Sequence, residues 1–322
     1  MKIAKSIRAA YSRSKPDYQR LSDEVCATLQ PKVEGKSWFF INRLKEQESF
    51  ALKIETGRVD DPNRMEDFFA CTIVVPTVLQ IAKAEEVLEE WYEVAARRPP
   101  KDEVTHKRAS DFVFDDLRLY LKQKPSETGR NSDLDGIVFE VQIKTILQYA
   151  WGIASHDLIY KTDNVSWPKQ RIAFQVKAML EHAEIAIAEA GRLAESTAIS
   201  KTDLDTSSTL EIIVVLRGFF PADRLPRDIR RLAESIRNVL KTCDVQLSRL
   251  NAILSAERTR FGLLPANISP YAFLVQALAH STEIDFKAKI TSGRNKNTKI
   301  LVHDDMDLPD WMETENVKII RL

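Results

Sequence analysis

The residues best suited to chemistry in this 322-residue chain fall in three places. In WFFINRLKEQESFALK (38–53), Arg43, Lys45, Ser49 and Lys53 offer cations and a hydroxyl, and 45, 49 and 53 are successive i, i+4 neighbours if the segment is helical. Such a cluster can hold phosphates through charge-assisted hydrogen bonds, or it can be a solvated cationic face. Asp67 stands just before the apolar run FFACTIVV, where a carboxylate can give oxygen to a hard divalent cation or simply close a turn. In FEVQIKT, Glu140 lies inside a β-rich apolar segment, where a carboxylate is costly without a partner or a task. Gln142 and Lys144 share its face by the two-residue period of a strand. Acid, amide and cation on one face read as a site, with a solvent-facing sheet surface as the alternative. His156 and Lys161 follow on a helical stretch, with Tyr160 four residues beyond the histidine. A lone helical histidine is otherwise structural.

The elements that must position these groups can be read from periodicity and breakers. Leu21, Val25 and Leu29 mark a helix over 17–33, and a second helical segment is expected over 38–54. GRVDDPNR is a turn-rich break, and FFACTIVVP has the length and continuous apolarity of a buried strand ended by Pro76. A helix over 78–95 follows, with Leu79, Ala82, Val87, Leu88 and Trp91 on its inner side. After the proline-broken basic loop RRPPKDEVTHKR come two strands, FVFDDLRLYLK and the alternating IVFEVQI. A long amphipathic helix over 169–198 carries the stripe Ile172, Val176, Met179, Leu180, Ala183 and Ile187. KTDLDTSST has linker composition. Beyond it, LEIIVVLRGF reads as a strand, 227–243 and 245–258 as helices, and SPYAFLVQALAHS as a helix with a Ser-Pro start. Strands near 284–290, 299–302 and 317–320 close the chain. The expected fold class is α/β (α+β): a mixed sheet flanked by helices over 1–200, then a smaller α/β domain over 201–322.

Composition narrows the partners. Lys plus Arg equals Asp plus Glu at 47 each, so there is no global pull toward nucleic acid or membrane, and any polyanion site is local. Cys26, Cys71 and Cys243 lie far apart with no ligand spacing, which argues against a disulfide framework or a zinc site and points to a reducing cytoplasm. The longest apolar run, 212–216, is too short to span a bilayer, and 1–20 carries no apolar signal region.

Taken in order, these pieces match a known pattern. RLKEQESFALK resembles the RxKxxxSxxxK segment of the RelA/SpoT nucleotidyltransferases, and EDFFACTIVV resembles that family's KDxxGxRxV strand. FEVQIKT followed by AWGIASHDLIYK resembles its ExQIRT strand and the W…EHxxxYK helix. The resemblance covers about 17–198. It implies that Arg43, Lys45, Ser49 and Lys53 bind ATP phosphates, that Asp67 and Glu140 form the Mg²⁺ site, and that Glu140 serves as base. The implied reaction moves the β,γ-pyrophosphate of ATP to the 3′-hydroxyl of GDP or GTP. Phe114, Arg118, Gln142, Lys144, His156 and Lys161 are the implied acceptor-binding residues.

The departures are as informative. Ala70 and Thr72 replace the family's GxR, removing one arginine. The NGYxSLH acceptor motif is reduced to Phe114 and Arg118, and Ser155 replaces the glutamate beside His156. No hydrolase domain is expected, since the dyads His156-Asp157 and His303-Asp304 lack the second histidine and remote aspartate of a His-Asp metal site. Three readings follow: synthesis of a guanosine alarmone, a toxic relative acting on another acceptor such as the tRNA 3′ end, or a nucleotide-binding regulator without turnover. Residues 201–322 are expected to restrain the enzyme, bind a protein partner or mediate homo-oligomerisation.

Overall fold

The computed structural model describes residues 2–59, 61–101, 116–124, 133–155, 166–262, 264–291, 299–312 and 318–321. They form two units, Met1–Ile199 and Ser200–Leu322.

The first unit is built on a five-stranded mixed sheet of order β1-β2-β5-β4-β3. Its strands are β1 (Phe39–Leu44), β2 (Phe69–Val75), β3 (Tyr92–Arg98), β4 (Leu117–Gln123) and β5 (Phe139–Thr145). β2 and β5 pair in parallel, and the other neighbours are antiparallel. One face is apolar: Phe69, Cys71, Ile73 and Val75 of β2, Phe139, Val141 and Ile143 of β5, and Leu117, Leu119 and Leu121 of β4 are all buried in one core. Helix α1 (Lys5–Glu34) closes that core with Tyr11, Tyr18, Leu21, Val25, Leu29 and Val33, and α3 (Ile81–Trp91) adds Ala84 and Leu88. The alternation of the strands therefore turns Glu140, Gln142 and Lys144 to the opposite face.

Three boundaries differ from those expected. Residues 39–44 form an edge strand rather than the start of a helix, because Phe39, Phe40 and Ile41 favour extended backbone and register with Val74, Ile73 and Thr72 of β2. Helix α2 (Gln47–Glu55) begins only afterwards. The helix expected to reach 95 stops at Trp91, and Tyr92–Arg98 becomes the other edge strand, β3. Helix α1 starts well upstream of residue 17 and runs through Pro16.

The passage from β5 into α4 (Ile146–Ser155) is a reciprocal cap. Thr145 Oγ1 accepts from Gln148 N at 3.1 Å, and Gln148 Oε1 accepts from Thr145 N at 2.9 Å. Thr145 also donates to the buried Glu184 of α5 (Trp167–Ala188). That helix ends at Ala188 with Glu189 as its C-cap, and a short α6 (Ala190–Ala194) follows. Its expected inward stripe is mostly exposed: Ile172, Val176, Met179 and Ile187 face solvent, while Ala173 and Glu184 are buried. Periodicity gave α5 an apolar side, but the helix is anchored to the sheet by a polar contact on another side.

The second unit is mainly helical: α7 (Leu204–Phe219), α8 (Ile229–Thr242), α9 (Leu250–Phe261), α10 (Pro270–His280) and α11 (Phe286–Thr291), with a parallel pair β6 (Ile300–Val302) and β7 (Ile319–Arg321). LEIIVVLRGF lies in α7 rather than in a strand. Asp203 caps it by accepting from Thr206 N at 2.8 Å, and Ile212 and Leu216, one helical turn apart, are buried. The segment expected as a strand near 284–290 is α11, where Asp285 accepts from Ala288 N. The Ser269 cap and Pro270 start of α10 are as the sequence predicts. Among the described residues no helix is long and apolar enough to cross a membrane.

Candidate active site

Lys45, Lys53 and Asp67 meet although they come from three different segments. Lys45 follows β1, Lys53 sits in the last turn of α2, and Asp67 precedes β2. Lys45 Nζ and Lys53 Nζ each lie 2.8 Å from Asp67 Oδ2. Helix α1 braces both loops, with Tyr11 Oη donating to the Lys45 carbonyl at 3.1 Å and Tyr18 Oη to the Met65 carbonyl at 3.2 Å. Both rings stack on Phe68, the neighbour of Asp67, with centroids 5.2 and 4.5 Å away. Each such pair contributes about 0.5–1.5 kcal/mol beyond its burial. The Tyr18 phenol is pushed up to about 12, first by burial and then by the charges of Asp67 and Glu66, so it remains a donor. Burial works against the Asp67 charge, but the two lysines outweigh it and hold its carboxyl below the usual range.

Glu140 begins the polar face of the sheet. It is 5% exposed, and Tyr120 Oη donates to its Oε2 at 3.2 Å while Gln142 donates to its Oε1. Register explains the partners: Tyr120 is opposite Glu140 and Arg118 is opposite Gln142 across β4 and β5. One step further, Lys144 Nζ lies 3.5 Å and Arg118 Nε 3.3 Å from Asp116 Oδ2. Arg98, opposite Arg118 on β3, covers the Tyr120 ring at 5.0 Å. On the other side Glu140 registers with Ala70, and Ala70 with Arg43, so Arg43 stands two strands, roughly 10 Å, from Glu140 on the same face. Asp67 comes three residues before Ala70, which puts both carboxylates at the same end of two neighbouring parallel strands.

Residues 42–165 match the family described as the region found in RelA / SpoT proteins. The stretch contains every candidate residue singled out from the sequence. Solved structures of similar fold include the small alarmone synthetase 1 from Bacillus subtilis, 17% identical over 58% of this chain and 98% of that chain, with TM-score 0.46. Another is a GTP pyrophosphokinase family protein from Streptococcus pneumoniae, 18% identical over 60% of this chain and 98% of that one, with TM-score 0.44. A third is the small alarmone synthetase 2 from Bacillus subtilis, 14% identical over 56% of this chain and 98% of that one, with TM-score 0.45. Among curated proteins, none matches the sequence.

Within the matched region the expected residues separate into two groups. Lys45, Lys53 and Asp67 make one cluster, and Glu140, Gln142, Arg118 and Lys144 share the polar face. Lys144 stands four residues, roughly 13 Å, along β5 from Glu140. Arg43 and Ser49 are exposed, Arg43 on β1 and Ser49 on α2. Phe114, His156 and Lys161 lie outside the described residues. Asp116, Tyr120 and Arg98 were not singled out from the sequence. Strand parity could have put Asp116 and Tyr120 on the face of Arg118, but only the register shows that this face meets Glu140.

A divalent cation fits this chemistry. Asp67 Oδ1 is buried with no hydrogen-bond partner, although Oδ2 is doubly bonded. Among the described residues no group of three or more His, Cys, Asp or Glu gathers. A small hard cation such as Mg²⁺ is suited to such sparse provision, because it takes one or two carboxylates and completes its shell with water and substrate phosphates.

Proposed function

We propose that the first unit transfers the β,γ-pyrophosphate of ATP to the 3′-hydroxyl of GDP or GTP with Mg²⁺. The observation that carries this reading is the pairing of a phosphate-grade cation cluster with a buried, doubly oriented carboxylate at one end of β2 and β5. Lys45, Lys53, Arg43 and Ser49 would bind the triphosphate. Asp67 would hold Mg²⁺, with Glu140 as the second carboxylate, and the cation would offset charge on the transferred group. Glu140, held by Tyr120 and Gln142, would take the proton as the hydroxyl oxygen attacks the β-phosphorus. The bond from that phosphorus to the oxygen bridging the α-phosphate breaks, and AMP leaves. Arg118 and Lys144, with Gln142, line the face along which the acceptor would lie, and Phe114, His156 and Lys161 are assigned to it as well.

The test is incubation of the full chain with γ-labelled ATP and Mg²⁺ plus GDP, GTP or tRNA. Label is expected in the guanosine nucleotides, and Glu140→Gln is expected to lower the rate about 10²–10⁴-fold. Label in tRNA alone would move the acceptor to a nucleic-acid 3′ end. Absence of label in all three would leave a nucleotide-binding regulator and overturn the proposal.

A further inference from the structure

The two oxygens of Asp67 are used unequally. Oδ2 receives two ammonium groups at 2.8 Å each, and Oδ1 is buried and bonds to nothing described. Two cations against one carboxylate leave the cluster with a local charge of about +1, in surroundings where the Asp67 and Lys45 side chains are only 15% and 12% exposed. A bare divalent cation approaching Oδ1 would meet net repulsion, and burial strengthens it. A polyphosphate reverses the sign, because its oxygens can take over the lysines as counter-ions and release the carboxylate.

We infer that Lys45 and Lys53 act as a charge lock on Asp67, so that the site refuses free divalent cations and accepts them only together with a polyphosphate. The inference rests on the reading above that this unit binds ATP. The lock makes Lys45 and Lys53 specificity-determining residues as well as phosphate ligands: they admit the metal with a triphosphate and turn away the bare metal. By linkage, whatever the polyphosphate adds to cation affinity, the cation adds to polyphosphate affinity. Lys53 is the more movable member. Its side chain is 31% exposed and sits in the last turn of α2, whereas the Lys45 backbone is tied to Tyr11 and to the Phe68 carbonyl. The competing account is that the two lysines merely staple α2 to the entrance of β2.

The two accounts differ in what removal of a lysine does to the nucleotide-free protein. Mn²⁺ binding to the full chain, read by electron paramagnetic resonance of the free ion, is expected to be weak in the wild type. In Lys53→Gln it is expected to be at least about tenfold tighter, well below the bare Coulomb effect because Lys53 is partly hydrated. Lys53→Arg keeps the charge and is expected to bind as the wild type does, and Asp67→Asn added to Lys53→Gln is expected to abolish the gain. Circular dichroism and thermal melts check that each variant folds; should Lys53→Gln not fold, Lys53→Met carries the same comparison. Affinity in the neutral variant equal to or below the wild type overturns the lock, and so does a gain that persists without Asp67. Turnover plays no part in these readings. A chain that transfers nothing can still show the lock, and an active chain can lack it.

Discussion

Asp67 and Glu140 are carboxylates in largely dry surroundings, and their partners decide what each can do. Tyr120 and Gln142 are neutral donors, so they aim Glu140 without offsetting its charge. Asp67 is met by ammonium groups, which outweigh the effect of burial and lower its pKa. A lowered folded value means that the carboxylate contributes stability above its unfolded value of about 3.9, and that the contribution is lost as pH falls through the folded value. Asp67→Asn is therefore expected to cost about 1–2 kcal/mol at neutral pH and less near pH 2, where the carboxyl of the unfolded chain is already protonated. Urea unfolding at the two pH values checks it. An equal loss at both would show that the lysine contacts do not stabilise the fold.

At the scale of elements, one junction carries the site: Thr145 ends β5, caps α4 and anchors α5 through Glu184. Burial first, and then the neighbouring charge of Glu181, raise the Glu184 pKa against the opposing Thr145 bond. A raised folded value makes the ionised form unfavourable in the fold, so this contribution to stability falls as pH rises from the unfolded value near about 4.3 through the folded one. Glu184→Gln keeps an acceptor for Thr145 and cannot ionise. It is expected to unfold at a higher temperature than the wild type at pH 8, by about 0.5–1 kcal/mol in stability, and at nearly the same temperature at pH 4. Thermal melts at both pH values decide it, and a variant less stable at pH 8 would show that the charge itself is needed there. The same junction shows what a sequence makes legible. β2 could be read because a buried strand is an apolar run and β5 because it alternates, and Glu140 stood out because a carboxylate in a β-rich apolar segment needs a reason. The Thr145–Gln148 cap is equally legible in TILQ. β1 was hidden because an exposed edge strand buries little and the residues just after it, Lys45, Ser49 and Lys53, fall at helical spacing. α7 was hidden because Ile212, Ile213, Val214 and Val215 favour strands locally, while Asp203 and the packing of Ile212 with Leu216 favour a helix. The Tyr120–Glu140 contact could not be read at all, since parity gives a face and not a neighbour.

At the scale of the molecule, the two units have separate interiors. The core of the first runs through buried residues from Ala10 to Ile143, and that of the second from Ile212 to Met312, with no shared member among the described residues. Apolar burial within one unit therefore does not depend on the other, and each is expected to unfold as its own cooperative step. Phe273 tests this, being 1% exposed in α10 with its ring 6.0 and 5.9 Å from those of Phe219 and Phe220. Phe273→Ala leaves a cavity worth about 3–5 kcal/mol, a large share of what a unit of this size holds in reserve. In scanning calorimetry of the full chain the second unit's transition is expected to fall or vanish, with the first unit's transition left in place. A separate polypeptide of residues 200–322 is expected to melt cooperatively, and to lose that behaviour with the same substitution. Loss of both transitions in the full-length variant would mean that the first unit needs the second in order to fold. That would turn residues 200–322 from a partner of the first unit into part of its scaffold.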